Sequence, residues 1–196
     1  MTSNNLLTHG WQYIPNIITL EEAKIIRDED YKHIENVDPK FDIDRGNVWW
    51  AYAPESTVFV LKRIQRILED ILGEELVPTY WFSTIYQNNC YMLKHMDRTA
   101  CEISVSLNIH SELDWPLKIN DLKGNEAHCY TSIGQGVAYL GPEVEHWRNN
   151  LIHPKPTRFV QSFFHYVRKN GDYSGNAYDQ NNYPELHERV VRLLGQ

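Results

Sequence analysis

A mainly β fold with flanking helices, a sandwich or jelly roll, is predicted by three features of this 196-residue chain. Eight strand-like runs follow one another between Val77 and Val167, with short Gly, Pro, Asn and Asp loops between them and no helical stretch to interrupt them. Helical periodicity is confined to the segments before and after that block. The composition, 42% apolar with 12% aromatic residues, is enough to fill one proper core but the length is too short for two full-sized domains. The expected organisation is one domain over 1–196, with helical support in 1–76, a jelly-roll core in 77–168, and a loop and helix in 169–196.

In chain order, Trp11, Tyr13, Ile14 and Ile17 around Pro15 suggest a short extended entry segment after a polar start. Thr19-Leu20-Glu21-Glu22 fits a capping box, in which the Thr hydroxyl and the Glu carboxylate satisfy each other's backbone amides, so a helix should follow. Ala23, Ile26, Tyr31 and Ile34 would form its buried stripe. Residues 36–54 carry turn formers and the aromatic trio Trp49, Trp50 and Tyr52, which suggests a loop with one short strand. From about Glu55, Val58, Leu61, Ile64, Leu68, Ile71 and Leu72 recur at three- and four-residue steps, and Gly73 supplies a stop, so a second helix is expected there. The strands are placed at roughly 77–87, 90–96, 101–109, 115–120, 127–132, 136–140, 144–149 and 157–167. A Gly-, Asn- and Tyr-rich surface loop, 170–183, leads into a short helix from Pro184 to Leu194, with Pro near its start and Gly195 past its end.

Charge and cysteine content narrow the function classes. A formal charge of -7 with scattered Lys and Arg offers no basic field for a phosphate backbone, so nucleic acid is a poor partner. Three cysteines, Cys90, Cys101 and Cys129, cannot all pair and form no Cys-x-x-Cys motif, which fits a reducing compartment. The chain opens with no basic, then apolar, leader, and no run reaches the ~18 apolar residues of a membrane span. A cytoplasmic protein is the expectation.

The chemistry centres on the stretch Tyr86 to Ile109, which carries His95 and Asp97 one residue apart. On a strand, residues i and i+2 face the same way, so imidazole and carboxylate could share a metal. In the strand that follows, Cys101, Ile103, Val105, Leu107 and Ile109 alternate with Glu102, Ser104, Ser106 and Asn108. Either the polar set looks into the barrel, or the apolar set does and the polar set meets water. A second stretch, Gly134 to Trp147, ends a strand-like run in a turn and presents His146. Two histidines and one carboxylate holding one face of an octahedron is the arrangement of non-haem Fe(II) oxygenases. Tyr86 lies nine residues before His95 and Arg158 twelve after His146, both spacings that suit a pocket. A guanidinium facing the metal would grip a planar carboxylate bidentately. Arg98 and Arg148 follow the ligand stretches and are candidates for the pocket rim or for solvated surface. Trp115 and Trp147 read as core or pocket wall, Cys101 as a buried residue near the site, and His128, His153 and His165 as ordinary histidines.

The segment from Tyr80 to Val167 resembles the double-stranded β-helix (jelly roll, cupin-like) core of the 2-oxoglutarate and Fe(II)-dependent oxygenases, near the prolyl-hydroxylase-like branch. The pieces that carry the resemblance are Tyr86, Lys94 to Arg98 (KHMDR), CEISVSLNI, Ile133 to Arg148 (IGQGVAYLGPEVEHWR) and Thr157 to Val167 (TRFVQSFFHYV). It implies a dioxygenase that ligates Fe(II) through His95, Asp97 and His146, and uses O2, with ascorbate as reductant. It also implies that Arg158 holds the distal carboxylate of 2-oxoglutarate, aided by Tyr86. Hydroxylation of an aliphatic C–H of a prolyl peptide or amino acid is the implied activity. Two departures stand out: Gln135 follows Gly134 where the family usually has Asp, and the turn before His95, QNNC, lacks its usual glycine. The competing reading is a cupin-type metal-binding jelly roll without oxygenase activity, from which Arg158 is the distinguishing feature. The aromatic loop around Trp49, Trp50 and Tyr52 and the Tyr-rich stretch 172–183 are candidate lids.

Overall fold

The computed structural model describes residues 5–32, 34 and 37–196. Among the described residues, eleven strands build two antiparallel sheets that face each other. The strands are β1 (Trp11–Ile14), β2 (Lys40–Asp42), β3 (Gly46–Tyr52), β4 (Leu76–Gln87), β5 (Met92–His95) and β6 (Ile103–Ser111). They continue as β7 (Leu117–Asn120), β8 (Glu126–Cys129), β9 (Gly136–Tyr139), β10 (His146–Arg148) and β11 (Arg158–Arg168). The major sheet runs β1-β9-β6-β11-β4-β3-β2 and the minor sheet β5-β10-β7-β8. The eight expected strands all form. The helices are α1 (Asn5–His9), α2 (Leu20–Lys32), α3 (Val58–Leu72) and α4 (Pro184–Leu194).

Local chemistry sets most of these bounds. The Thr19 hydroxyl accepts from the Glu22 amide at 3.2 Å and the Glu22 carboxylate accepts from the Thr19 amide at 2.8 Å, closing the box that starts α2. Glu22 also pairs with Arg63 of α3, which holds its carboxyl down at about 2 and ties the two helices together. A single 3-10 turn, Glu55–Thr57, precedes α3, and Gly73 ends it in the left-handed conformation at φ 71°, which an L side chain resists. α4 has the expected bounds, with Gly195 closing it in the same way.

Three elements depart from expectation. The polar start forms α1, and the expected extended entry segment that follows, β1, adds to the edge of the major sheet beside β9. Residues 40–52 make two strands instead of one, and β3 pairs with β4 over Trp49–Tyr52, so the aromatic trio sits on the sheet and not in a loop. The region before residue 77 is therefore part of the sheet as well as helical support. Residues 174–179 form a kinked 3-10 segment, whose Asp179 is buried and accepts the Tyr52 hydroxyl at 2.6 Å.

The central strands of the major sheet, β4, β6, β9 and β11, are buried on both sides, which explains why β6 reads as an alternation of apolar and small polar residues. Ile103, Val105, Leu107 and Ile109 join the core under α2 and α3, together with Val160, Phe164 and Tyr166 of β11 and Trp81 and Ile85 of β4. The opposite set of β6, Ser104, Ser106 and Asn108, is equally buried but looks into the space between the sheets. The first of the two alternatives for this strand therefore holds. No described helix is long and apolar enough to cross a membrane, and the three cysteines are free and buried.

Under α2 one charge is out of place. Asp30, in the last turn of that helix, is 4% exposed, and neither carboxylate oxygen has a hydrogen-bond partner. Burial pushes its carboxyl from 3.8 up to about 7, so the folded chain holds a proton that the unfolded chain releases. Stability from this group is complete below about pH 4 and is lost as pH rises towards 7, by an amount on the order of 4 kcal/mol. Asp30→Asn should accordingly raise the melting temperature at pH 8 by about 4 °C, once the cost of burying the amide is subtracted, and leave it nearly unchanged at pH 4. Thermal unfolding followed by circular dichroism at both pH values checks this, and equal effects at both would contradict it.

Candidate metal centre

The site is built by strand register. β10 pairs antiparallel with β5 so that His146 stands directly across from His95, and their ring centroids lie 4.4 Å apart. Residues far apart in sequence thus become cross-strand neighbours on the minor sheet. Asp97 lies just beyond β5, not on it: the strand ends at His95, and the chain bends so that the Asp97 amide donates to the Gly141 carbonyl at 2.9 Å. His95 Nε2 is 3.4 Å and His146 Nε2 3.7 Å from Asp97 Oδ1. The three ligand atoms all lie within 4.8 Å of one another.

Each imidazole is oriented from behind. His95 Nδ1 meets the Leu93 carbonyl at 2.7 Å and His146 Nδ1 the Val144 carbonyl at 3.2 Å, so Nδ1 carries the proton and Nε2 keeps its lone pair for the cluster. Asp97 Oδ2 accepts from the Ser104 hydroxyl at 3.3 Å, leaving Oδ1 for the same point. Gly141 makes the close approach possible: a Cβ there would lie 2.3 Å from the Cys101 carbonyl and 2.7 Å from Asp97 Oδ2. A hydrogen bond donated to Asp97 raises the His95 pKa, whereas burial lowers that of His146.

The cluster opens on a cleft of about 330 Å³. Its aromatic wall comes from Trp50, Tyr52, Tyr80, Phe82 and Phe163, with Tyr80 stacked on Phe82 at 6.2 Å and Phe82 on Phe163 at 4.8 Å. Arg45 enters the cleft held by Asp42 at 2.7 Å, and Asn182 and Leu186 from the C-terminal region close one side. The stretch 172–183 is thus beside the cleft, anchored where Asp179 pairs with Arg98 at 3.0 Å. Arg98 itself lies across the Tyr80 ring at 4.7 Å and does not line the cleft.

Tyr86 and Arg158 fare differently. Tyr86 is fully buried, lines the cleft, and its hydroxyl has no hydrogen-bond partner. Burial pushes that phenol up to about 12 against the pull of Arg45 and Arg148. Arg158 is exposed and stacks over Tyr31 at 5.0 Å and Trp49 at 5.7 Å, away from the cleft. The reason is parity: Phe159 pairs with Tyr86 and shares its inward face, so the neighbouring Arg158 must point out.

A second guanidinium, Arg148, is buried between the sheets beside the cleft, which it does not itself line as Arg45 does. It sits two residues past His146 with its side chain 2% exposed at residue level, while Trp147 between them faces outward under Lys94 and Lys118. Arg148 donates to the Trp115 carbonyl and, at 3.3 Å, to Gln161 Oε1, and lies over the rings of Trp115 and Phe159. Its Nε has no acceptor, and among the described residues no carboxylate pairs with it. Burial drags its pKa down to about 10, opposed chiefly by Tyr86 and Tyr139. The sequence signal for it existed, since His146 and Arg148 share a strand face by i, i+2 spacing. His165, taken as ordinary in the sequence, also lines the cleft, with Nδ1 2.8 Å from the Ser104 hydroxyl and Nε2 unpartnered. Burial lowers it to about 4, so it is neutral. Trp115 is wall, edge-on to Tyr86 at 5.0 Å, and Cys101 is buried with its sulfur 3.1 Å from the Tyr80 hydroxyl. His128 and His153 stand apart, bonded to Glu126 and to the Lys155 carbonyl.

By sequence, no protein-family model and no curated protein matches the chain. By structure the fold is that of the 2-oxoglutarate and Fe(II)-dependent oxygenases, a double-stranded β-helix. A Pseudomonas putida prolyl-4-hydroxylase is similar with TM-score 0.64 at 17% identity, over 83% of this chain and 95% of that one. A 2OG-Fe(II) oxygenase family oxidoreductase from Burkholderia pseudomallei superposes with TM-score 0.68 at 13% identity, over 85% and 89%. A Streptomyces hygroscopicus protein solved with nickel and 2-oxoglutarate bound gives TM-score 0.62 at 10% identity, over 84% and 87%.

Because a metal must displace protons from imidazole, affinity for Fe(II) or Co(II) should rise with pH through the imidazole range and level off only above the ordinary 6.5, since Asp97 raises His95. Calorimetric titration at several pH values checks this, and a flat profile would contradict it. Gly141→Ala should weaken binding at least tenfold by pushing Asp97 aside, with the fold retained by circular dichroism. Unchanged metal affinity would show that the close approach is not required.

Proposed function

We propose that this protein is a 2-oxoglutarate- and Fe(II)-dependent dioxygenase that hydroxylates an aliphatic C–H bond, with a prolyl peptide or a free amino acid as the substrate class. The observation that carries the reading is the buried, uncompensated guanidinium of Arg148 behind the orphaned Tyr86 hydroxyl, on the strand that bears His146. A charged group taken out of water without a counter-charge is costly, and the anion that would repay the cost must enter from the cleft. A dicarboxylate that also chelates the metal meets both demands.

His95 Nε2, Asp97 Oδ1 and His146 Nε2 are the donors suited to Fe(II), a nitrogen-and-carboxylate set that leaves three positions open. Arg148 takes the distal carboxylate of 2-oxoglutarate, the role first assigned to Arg158, with Tyr86 donating its hydroxyl. When bound, Fe(II), 2-oxoglutarate and O2 supply the oxidising chemistry, in which decarboxylation to succinate and CO2 is coupled to insertion of one oxygen atom, with ascorbate keeping the iron ferrous.

The chain's own part is positional. Backbone carbonyls at Leu93 and Val144 fix the imidazole tautomers, and Ser104 steadies Asp97. The Tyr80, Phe82 and Phe163 rings offer an apolar wall against which an aliphatic ring or chain can lie beside the metal donors. A cupin-type protein that binds a metal without oxidation would have no use for the uncompensated Arg148. That residue now separates the two readings in place of Arg158.

Purified protein with Fe(II), ascorbate and 2-oxoglutarate should release succinate slowly without substrate, and mass spectrometry of a peptide and amino-acid panel should reveal a gain of one oxygen. No succinate and no 2-oxoglutarate binding would end the proposal. Arg148→Lys keeps the charge but loses the planar fork, so the 2-oxoglutarate concentration for half-maximal succinate release should rise about 10- to 100-fold, matching roughly 1.4–2.8 kcal/mol. Arg158→Ala should change it less than about twofold. The reverse pattern would return the role to Arg158.

A further inference from the structure

A second cavity, of about 200 Å³, lies between α2 and the outer face of β3 and β4. Register puts four of its lining residues on that one face, since Trp49 pairs with Ile85 and Ala51 with Ser83. Val48 and the half-exposed Trp50 complete a largely aromatic and aliphatic wall. The indole of Trp49 is pinned by its Nε1 donating to the Val37 carbonyl at 2.6 Å and by Arg158 on its ring. At the α2 end stands Asp30, more than nine-tenths buried, with neither oxygen in a hydrogen bond of good geometry and the Ser83 hydroxyl as the one polar neighbour that pulls on it. Asp38 and Lys40 also line the cavity, both exposed, and among the described residues Lys40 makes no ion pair with Asp30.

We propose that this cavity is a binding site for a small organic cation, a primary ammonium group carried on an apolar body. Its existence does not depend on the metal reading. Three features select a cation. At pH 8, above the range in which Asp30 keeps its proton, the carboxylate offers two acceptor oxygens and an ammonium brings three donors. The site lies at the C-terminal end of α2, where the helix dipole is negative. Indole rings in the wall attract a cation to their faces. A bare metal ion is a poor occupant, because one carboxylate among aromatic and aliphatic groups supplies too few oxygen ligands. An apolar body fits because most of the lining is carbon. Trp50 lines both this cavity and the metal cleft, so the two sites share one wall.

The test is calorimetric titration at pH 8, where Asp30 is ionised, with benzylammonium chloride and with benzyl alcohol as the neutral match in shape. The expected result is saturable benzylammonium binding at millimolar Kd or tighter, at least tenfold weaker for benzyl alcohol. Asp30→Asn, which preserves shape, should weaken benzylammonium at least tenfold, and Ala51→Leu, which fills the cavity without touching the carboxylate, should abolish binding. Absence of saturation in the wild type, or equal affinity for the two probes, would overturn the proposal without recourse to any variant. Undiminished binding in folded Asp30→Asn or Ala51→Leu would overturn it as well.

Discussion

The pairing of His146 with His95 across two short strands is the constraint on which the rest of the structure depends. A cross-strand position brings side chains to within a few ångströms only if the two sheets fold face to face and the minor sheet closes in one register. A one-residue slip of β10 would turn His146 and Arg148 outward together and put Trp147 in the site. The hydrogen bond from the Asp97 amide to Gly141, on the segment that leads into β10, locks the third member to the same frame. The candidate metal donors and the buried guanidinium are therefore consequences of a single register, which makes them rise or fall together.

The major sheet supplies the other half of the design by presenting two unlike buried faces. Its outer face is apolar and carries the helices, so the sheet is rigid; its inner face is lined with small polar groups, aromatic rings and a neutral histidine. Ser104, Ser106 and Gln161 satisfy one another or the site, and of the buried groups left over Tyr86 and His165 line the cleft while Arg148 lies buried between the sheets beside it. Unsatisfied buried polar atoms cost about 1–3 kcal/mol each. Concentrating several of them around one cavity is intelligible if a polar ligand completes them. The same reasoning, applied on the opposite face, singles out Asp30.

Much of this was legible in the sequence, for identifiable reasons. The capping box at Thr19, the apolar stripe from Val58 to Leu72 and the Pro-to-Gly bounds of the last helix are local signals, and each gave the right element. His95, Asp97 and His146 could be grouped because a one-residue spacing and a distal strand-end histidine recur in a known order. What could not be read was long-range. Arg158 has a suitable spacing from His146, but the inward face of β11 is decided by its pairing with β4, where Phe159 meets Tyr86. The residues around Trp49 looked like a loop because turn formers surround them, and only β4 makes them a strand. His165 and Asp30 carry no sequence mark at all; their meaning comes from burial without a partner.

The most direct test of the central claim is a crystal structure of the protein grown anaerobically with Fe(II) and 2-oxoglutarate. The account expects one metal ion on His95 Nε2, Asp97 Oδ1 and His146 Nε2, chelated by the keto acid, whose far carboxylate meets Arg148 and the Tyr86 hydroxyl. A metal held elsewhere, or a keto acid whose far carboxylate leaves Arg148 uncompensated, would contradict it.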